Sequence, residues 1–229
     1  MTSFRDASIR VHRIGREDEP VAVIDNYFAD PDMLVTLAAG LVFEDCVSHY
    51  PGHRAAAPPA LFEAFFSQAQ PVFTEVFGYG PRARVVECNF SLVTRPPERL
   101  SPFQRLPHFD SLVDNRLAVL IFLSPEAQGG TRFFRHVSTG FETITASRHA
   151  RYTECIEAEV KQKGVPDPRY PTDGAPFFEV LADFEGIYNR ALIYRGRTLH
   201  SGRIDDSVSF IPDPRRGRLT LNGFIDPAA

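Results

Sequence analysis

The chain has 229 residues, of which 24% are charged and 43% hydrophobic, and its formal net charge is −4. That balance excludes a disordered chain, fits one domain with a full core, and gives no basic surface of the kind that grips nucleic acid. The longest basic cluster, Arg215, Arg216 and Arg218, is too short to change this. No stretch approaches the roughly 18 apolar residues of a membrane span, and residues 1–16 lack the apolar core of a signal peptide, so a cytoplasmic protein with no membrane partner is expected. Cys46, Cys88 and Cys155 show no zinc spacing and are odd in number, which reads as buried thiols in a reducing compartment.

Residues 1–80 read as a strand and two helices. The run VAVID at 21–25 is a short buried strand. Asp30-Pro31 then supplies an N-cap and first-turn pair, followed by Met33, Leu34, Leu37, Ala38 and Leu41 at helical spacing. A second helix is predicted from about Pro59, its apolar face carrying Leu61, Phe62, Phe65, Phe66, Ala69, Val72, Phe73 and Val76, with Pro71 a kink or break.

From residue 84 the texture changes. Residues 84–93, 116–123, 131–134, 191–194 and 218–225 are short apolar runs cut by Pro and Gly, and predict a β sandwich or barrel. An insertion at about 141–178 interrupts them: a helix from about 143 to 163, with Tyr152, Cys155, Ile156 and Val160 on one face, and then a Pro-rich loop at 165–176. It reads equally as a surface decoration or as a lid over a site.

The chemistry centres on Leu106-Pro107-His108-Phe109-Asp110. In extended chain, residues i and i+2 face the same way, so His108 and Asp110 offer a nitrogen and an oxygen to one point. A second histidine would complete a two-His, one-carboxylate set that leaves open positions on Fe(II). Alone, such a pair is weak and is also what a solvated strand shows. The surroundings strengthen it. Asn115-Arg116 opens an apolar strand, Gly129-Gly130-Thr131-Arg132-Phe133-Phe134 follows, and Ala191-Leu192-Ile193-Tyr194 leads to His200-Ser201-Gly202. In the last strand Arg218, Thr220 and Asn222 share one face, a polar row that suggests a lined pocket.

These elements, in this order over about 60% of the chain, resemble the prolyl 4-hydroxylase-like branch of the 2-oxoglutarate and Fe(II)-dependent oxygenases. The resemblance implies a mostly β fold with flanking helices, built as a double-stranded β-helix (jelly-roll) core over residues 84–225 within a single domain spanning 1–229. It implies iron ligands at His108, Asp110 and His200, and an anchor for the far carboxylate of 2-oxoglutarate at Arg218, assisted by Thr220. The implied reaction couples oxidative decarboxylation of 2-oxoglutarate by O2 to hydroxylation of an amino-acid side chain, a peptide or protein, or a small metabolite. A carboxylate at position 110 favours hydroxylation over halogenation. The intervals from Asp110 to His200 and from His200 to Arg218 are both long for the pattern, which leaves Arg203 and Arg216 as rivals to Arg218. The tyrosine that the family often carries before its His-x-Asp pair is missing from Cys88-Asn89-Phe90-Ser91-Leu92, so another group must contact the co-substrate. His136 is expected in a loop or at the rim, His49 and His53 in loops, His149 on a solvated helix face, and Phe109 and Phe133 beside the site. The rival readings are a cupin-like metalloenzyme that does not use 2-oxoglutarate and a non-catalytic jelly-roll binding protein.

Overall fold

A computed structural model describes residues 7–46, 50–80, 83–126, 128–171, 173–174, 176–205 and 208–227, with only the backbone for residues 62–67. The strands are β1 (Ser8–Ile14), β2 (Glu19–Asp25), β3 (Glu44–Asp45), β4 (Gly52–Ala56), β5 (Ala83–Val93), β6 (Leu117–Phe122), β7 (Gly130–His136), β8 (Phe178–Glu185), β9 (Ala191–Arg195), β10 (His200–Arg203) and β11 (Arg218–Pro227). The helices are α1 (Pro31–Ala39), α2 (Ala60–Glu75) and α3 (Ala146–Lys163).

The strands form a large antiparallel sheet in the order β1-β2-β9-β6-β11-β5-β4-β3 and a small one in the order β10-β7-β8. Period-two alternation decides what each face of the large sheet packs against. One set (Ala22, Ile24, Phe90, Leu92, Val119, Ile121, Ile193, Leu219, Leu221) meets Leu34 and Ala38 of α1 and Ala69, Val72 and Phe73 of α2. The other set (Val21, Val23, Ala118, Phe122, Leu192, Tyr194) meets Phe133 and Phe184 of the small sheet. Burying large aliphatic and aromatic side chains on both faces, at roughly 1.5–3 kcal/mol each, fixes a layered order: helices, large sheet, small sheet, α3.

α1 begins as its sequence predicts, with the Asp30 side chain accepting from the Met33 amide at 3.1 Å. α2 runs through Pro71 rather than breaking there. Ala69, Val72 and Phe73 around it are buried against the large sheet, and tertiary packing overrides the proline penalty. The side chains of Phe62, Phe65 and Phe66, assigned above to its apolar face, lie outside the described residues. The two Asn-Arg steps act alike. Asn115 and Asn189 take positive φ (62° and 60°), a turn that asparagine tolerates. Each following arginine clamps an aspartate through two nitrogens, Arg116 onto Asp226 at 2.7 and 2.8 Å and Arg190 onto Asp25 at 2.5 and 3.2 Å.

The insertion divides its work. Tyr152 of α3 packs with Phe134, Ile144, Phe177, Phe178 and Leu199 on the outer side of the small sheet. Tyr170, from the Pro-rich loop, turns inward to join Val93, Leu100, Ile204 and Val208 at one end of the space between the sheets. Among the described residues no helix is long and apolar enough to cross a membrane. All three cysteines are free, and only Cys88 is fully buried; burial raises its thiol to about 12.

Candidate metal and co-substrate site

The chain before β6 returns along β10. His108 and His200 form an isolated antiparallel bridge, and the Asp110 amide donates to the Gly196 carbonyl at 2.6 Å. The 108–110 segment thereby becomes a short fourth strand beside β10. Residues 108 and 110 face the site, while Phe109 points the other way, onto Tyr152 and His149 of α3. Of the two aromatics expected beside the site, Phe133 is therefore there, its ring 6.1 Å from that of His200, and Phe109 is not.

One ligand atom each from His108, Asp110 and His200 lie within 4.8 Å of one another. His200 Nε2 is 3.5 Å from Asp110 Oδ2, and His108 Nε2 is 3.8 Å from Asp110 Oδ1. His200 Nδ1 lies 2.8 Å from the Thr198 carbonyl. A carbonyl only accepts, so Nδ1 carries a proton and Nε2 is the nitrogen turned toward the carboxylate. Asp110 Oδ2 is buried with no hydrogen-bond donor among the described residues. Two imidazoles around one buried carboxylate call for positive charge at their centre, and a proton on one ring serves only one of them. A divalent ion with nitrogen and oxygen donors serves all three. Burial raises the Asp110 carboxyl, while His200 and then Arg54 pull it down and Glu87 pushes it up. His200 and Asp110 are well covered (side chains 6% and 14% exposed), whereas His108 is 48% exposed and marks the open side. The Tyr194 ring stands 4.9 Å from that of His200.

The second half of the site lies along β11. Pairing of Arg218, Thr220 and Asn222 with Val93, Ser91 and Asn89 of β5 puts their side chains on the face toward the small sheet. Arg218 is 4% exposed. It donates from Nε to the Gln128 carbonyl at 3.1 Å and from Nη2 to the Gly130 carbonyl at 2.9 Å, and no carboxylate among the described residues forms an ion pair with it. Burial lowers its pKa, opposed by Tyr50 and Tyr170. Among the described residues the buried Thr131 hydroxyl has no hydrogen-bond partner, and the buried Tyr50 and Thr220 hydroxyls have none beyond each other. A buried cation beside orphan hydroxyls is costly unless an anion completes it. Arg203 and Arg216 lack this setting: Arg203 pairs with Asp183 at 2.9 Å, and Arg216 is exposed.

Tyr50 is the group that sequence reasoning missed. It reaches the space from the turn before β4, and its hydroxyl feels Arg218 first among charges, then Arg54, with Thr220 beside it. The other histidines are settled too. His136, expected at a rim, is fully buried and bonds Thr139 and Glu159 at 2.8 Å each, tying α3 to β7. His53 lies in β4 against the Thr94 hydroxyl, 3.0 Å away. His149 is exposed but edges onto Phe109. His49 lies outside the described residues.

A family model described as "Family of unknown function (DUF6445)" matches residues 5–225. The chain belongs to this family. No curated protein matches it in sequence. Among solved structures, this DUF6445 member is similar to HygX from Streptomyces hygroscopicus with nickel and 2-oxoglutarate bound. The identity is 14% and the TM-score 0.53, over 91% of this chain and 83% of that one. It is also similar to SnoN, a non-haem α-ketoglutarate-dependent epimerase from nogalamycin biosynthesis (11% identity, TM-score 0.52, 92% and 78%). A Pseudomonas putida prolyl-4-hydroxylase matches at 13% identity and TM-score 0.50, over 93% and 95%. The DUF6445 chain therefore has the fold of the 2-oxoglutarate and Fe(II)-dependent oxygenases, prolyl 4-hydroxylases among them.

Proposed function

We propose that this protein is an Fe(II)- and 2-oxoglutarate-dependent dioxygenase with a jelly-roll core, and that it hydroxylates an amino-acid side chain, a peptide or protein, or a small metabolite. One observation carries the reading. The His108, Asp110 and His200 cluster lacks a central positive charge, and the Arg218, Tyr50, Thr131 and Thr220 cluster lacks an anion, and both face the space between the same two sheets. A metal ion and a dicarboxylate would satisfy both deficits.

In this reading His108, Asp110 and His200 hold the iron, and Arg218 and Thr220 hold the far carboxylate of 2-oxoglutarate, with the Tyr50 hydroxyl taking the place of the missing family tyrosine. Iron with 2-oxoglutarate and O2 supplies oxidising power through decarboxylation of the co-substrate. The chain supplies the rest. Thr198 fixes the tautomer of His200. The Gln128 and Gly130 carbonyls hold the Arg218 fork on two sides and leave its remaining nitrogen for a carboxylate. Tyr170, Ile204 and Val208 close the Arg218 end against water. Exposure of His108 leaves the other side open for substrate.

Turnover tests this. The protein incubated in air with Fe(II), ascorbate and 2-oxoglutarate labelled at its first carbon should release labelled CO2 and form succinate, at least in the slow reaction without substrate. A protein that binds iron but forms no succinate would favour the cupin-like alternative.

A further inference from the structure

A second charged cluster stands on the open side of the site and is used by neither the metal nor the co-substrate. Arg54 of β4 pairs with Ser91, which pairs in turn with Thr220. Its side chain therefore belongs to the same inner row as the co-substrate hydroxyls. Its guanidinium lies over the Tyr50 ring at 4.5 Å. Its Nη1 makes a loose 3.4 Å contact with Glu87, and its Nε is buried with no acceptor among the described residues. Glu87 stands at the open edge, 45% exposed, and accepts from the Asn89 amide at 2.5 Å. One row further along, Asn222 donates to Ser91 at 3.3 Å while its Oδ1 is buried and unbonded.

These groups form a complementary set. Arg54 offers donors and positive charge, and Glu87 and the Asn222 carbonyl offer acceptors and negative charge. A stable structural ion pair would be short and fully used, whereas this one is long and leaves buried valences on the inner face. We propose that Arg54 and Glu87 bind the primary substrate, and that the substrate is a small zwitterion, a free amino acid, whose carboxylate takes Arg54 and whose ammonium takes Glu87. This rests on the oxygenase reading, because the zwitterion is positioned relative to the metal cluster.

The test uses the full chain loaded with Ni(II) and 2-oxoglutarate, which cannot turn over. Loading is first verified by calorimetry. Each of the common free L-amino acids is then screened by thermal shift, and any that binds is compared by calorimetry with its N-acetyl and O-methyl ester forms. We expect at least one free amino acid to bind, and each blocked form to bind at least tenfold more weakly. Arg54→Gln should weaken the free acid at least tenfold, leave the affinity for the ester unchanged, and leave 2-oxoglutarate binding unchanged. Glu87→Gln should do the same with respect to the N-acetyl form. A purely structural pair would shift the melting temperature without distinguishing acid from ester. Loading that succeeds with no amino acid bound, or binding that Arg54→Gln does not weaken, overturns the substrate assignment alone. So does a loss of 2-oxoglutarate affinity in Arg54→Gln. Failure of the loading step overturns the oxygenase reading and this assignment with it.

Discussion

His108 and His200 are paired backbone to backbone, each amide donating to the other's carbonyl at 2.8 Å. This places two imidazoles side by side, their ring centroids 4.4 Å apart, from segments remote in the chain. The pair is held by peptide groups, so either side chain is removable without undoing the strand contact. His108→Ala and His200→Ala should therefore lose stoichiometric Fe(II) binding while keeping the circular-dichroism spectrum of the parent. Unfolding of both variants would show that the imidazoles are structural.

The orphan hydroxyls give a prediction with opposite signs. Replacing a buried hydroxyl that lacks its full set of partners by an apolar isostere removes a desolvation cost. Thr220→Val and Tyr50→Phe should leave the protein without co-substrate equally stable or more so in denaturant titration. The same changes should weaken 2-oxoglutarate roughly 3- to 10-fold, about one hydrogen bond each.

Gly129 supports the proposed co-substrate end indirectly. Its φ is +67°, and a Cβ there would lie 1.9 Å from the Arg203 carbonyl oxygen. The carbonyls flanking it, from Gln128 and Gly130, hold Arg218. Gly129→Ala should cost more than the roughly 1–2 kcal/mol of left-handed strain alone, because the contact is with backbone that cannot yield. Thermal unfolding measures the loss, and 2-oxoglutarate affinity should fall with it.

The Asn-Arg clamps contribute to the acid limit of stability. Arg116 holds the Asp226 carboxyl below the usual aspartate value of 3.8 by hydrogen bonds, and Arg190 does the same for Asp25. A carboxyl depressed in the folded state stabilises fully above its unfolded value and progressively loses that stabilisation as pH falls through the folded one. The parent should lose stability below about pH 4. Arg116→Gln should be less stable at neutral pH, by roughly 1–3 kcal/mol, with a shallower acid limb. Equal acid limbs in urea titrations would refute the assignment.

What the sequence reveals follows from what is local. The His-x-Asp spacing, the Gly-Gly turn and the polar row on the last strand are periodic or dipeptide signals; the structure groups His108 and Asp110 with His200 and puts Arg218, Thr220 and Asn222 on one face of β11. Tyr50 and Arg54 carry no such signal. They reach the inner face of the large sheet through strand pairing of β4 with β5, which spacing along the chain does not encode. β1 is exposed along nearly all its length and β10 has only four residues, so neither offers a long buried run, whereas β8 does alternate (Phe178, Val180, Ala182, Phe184) but starts at the end of the insertion. The insertion was legible as a helix and a loop, but not in its two destinations, because Tyr152 and Tyr170 are equally apolar in sequence and differ only in which side of the small sheet receives them.

In the proposed site a metal on His108, Asp110 and His200 and a dicarboxylate on Arg218 share the space between the two sheets. The direct measurement is an anaerobic titration of the Fe(II)-loaded protein with 2-oxoglutarate, followed by the visible charge-transfer band of the chelate. A saturable band with one equivalent is expected, absent in Asp110→Ala and shifted at least tenfold to higher 2-oxoglutarate concentration in Arg218→Lys. No band in the parent, or one that Arg218→Lys leaves unmoved, would contradict the account.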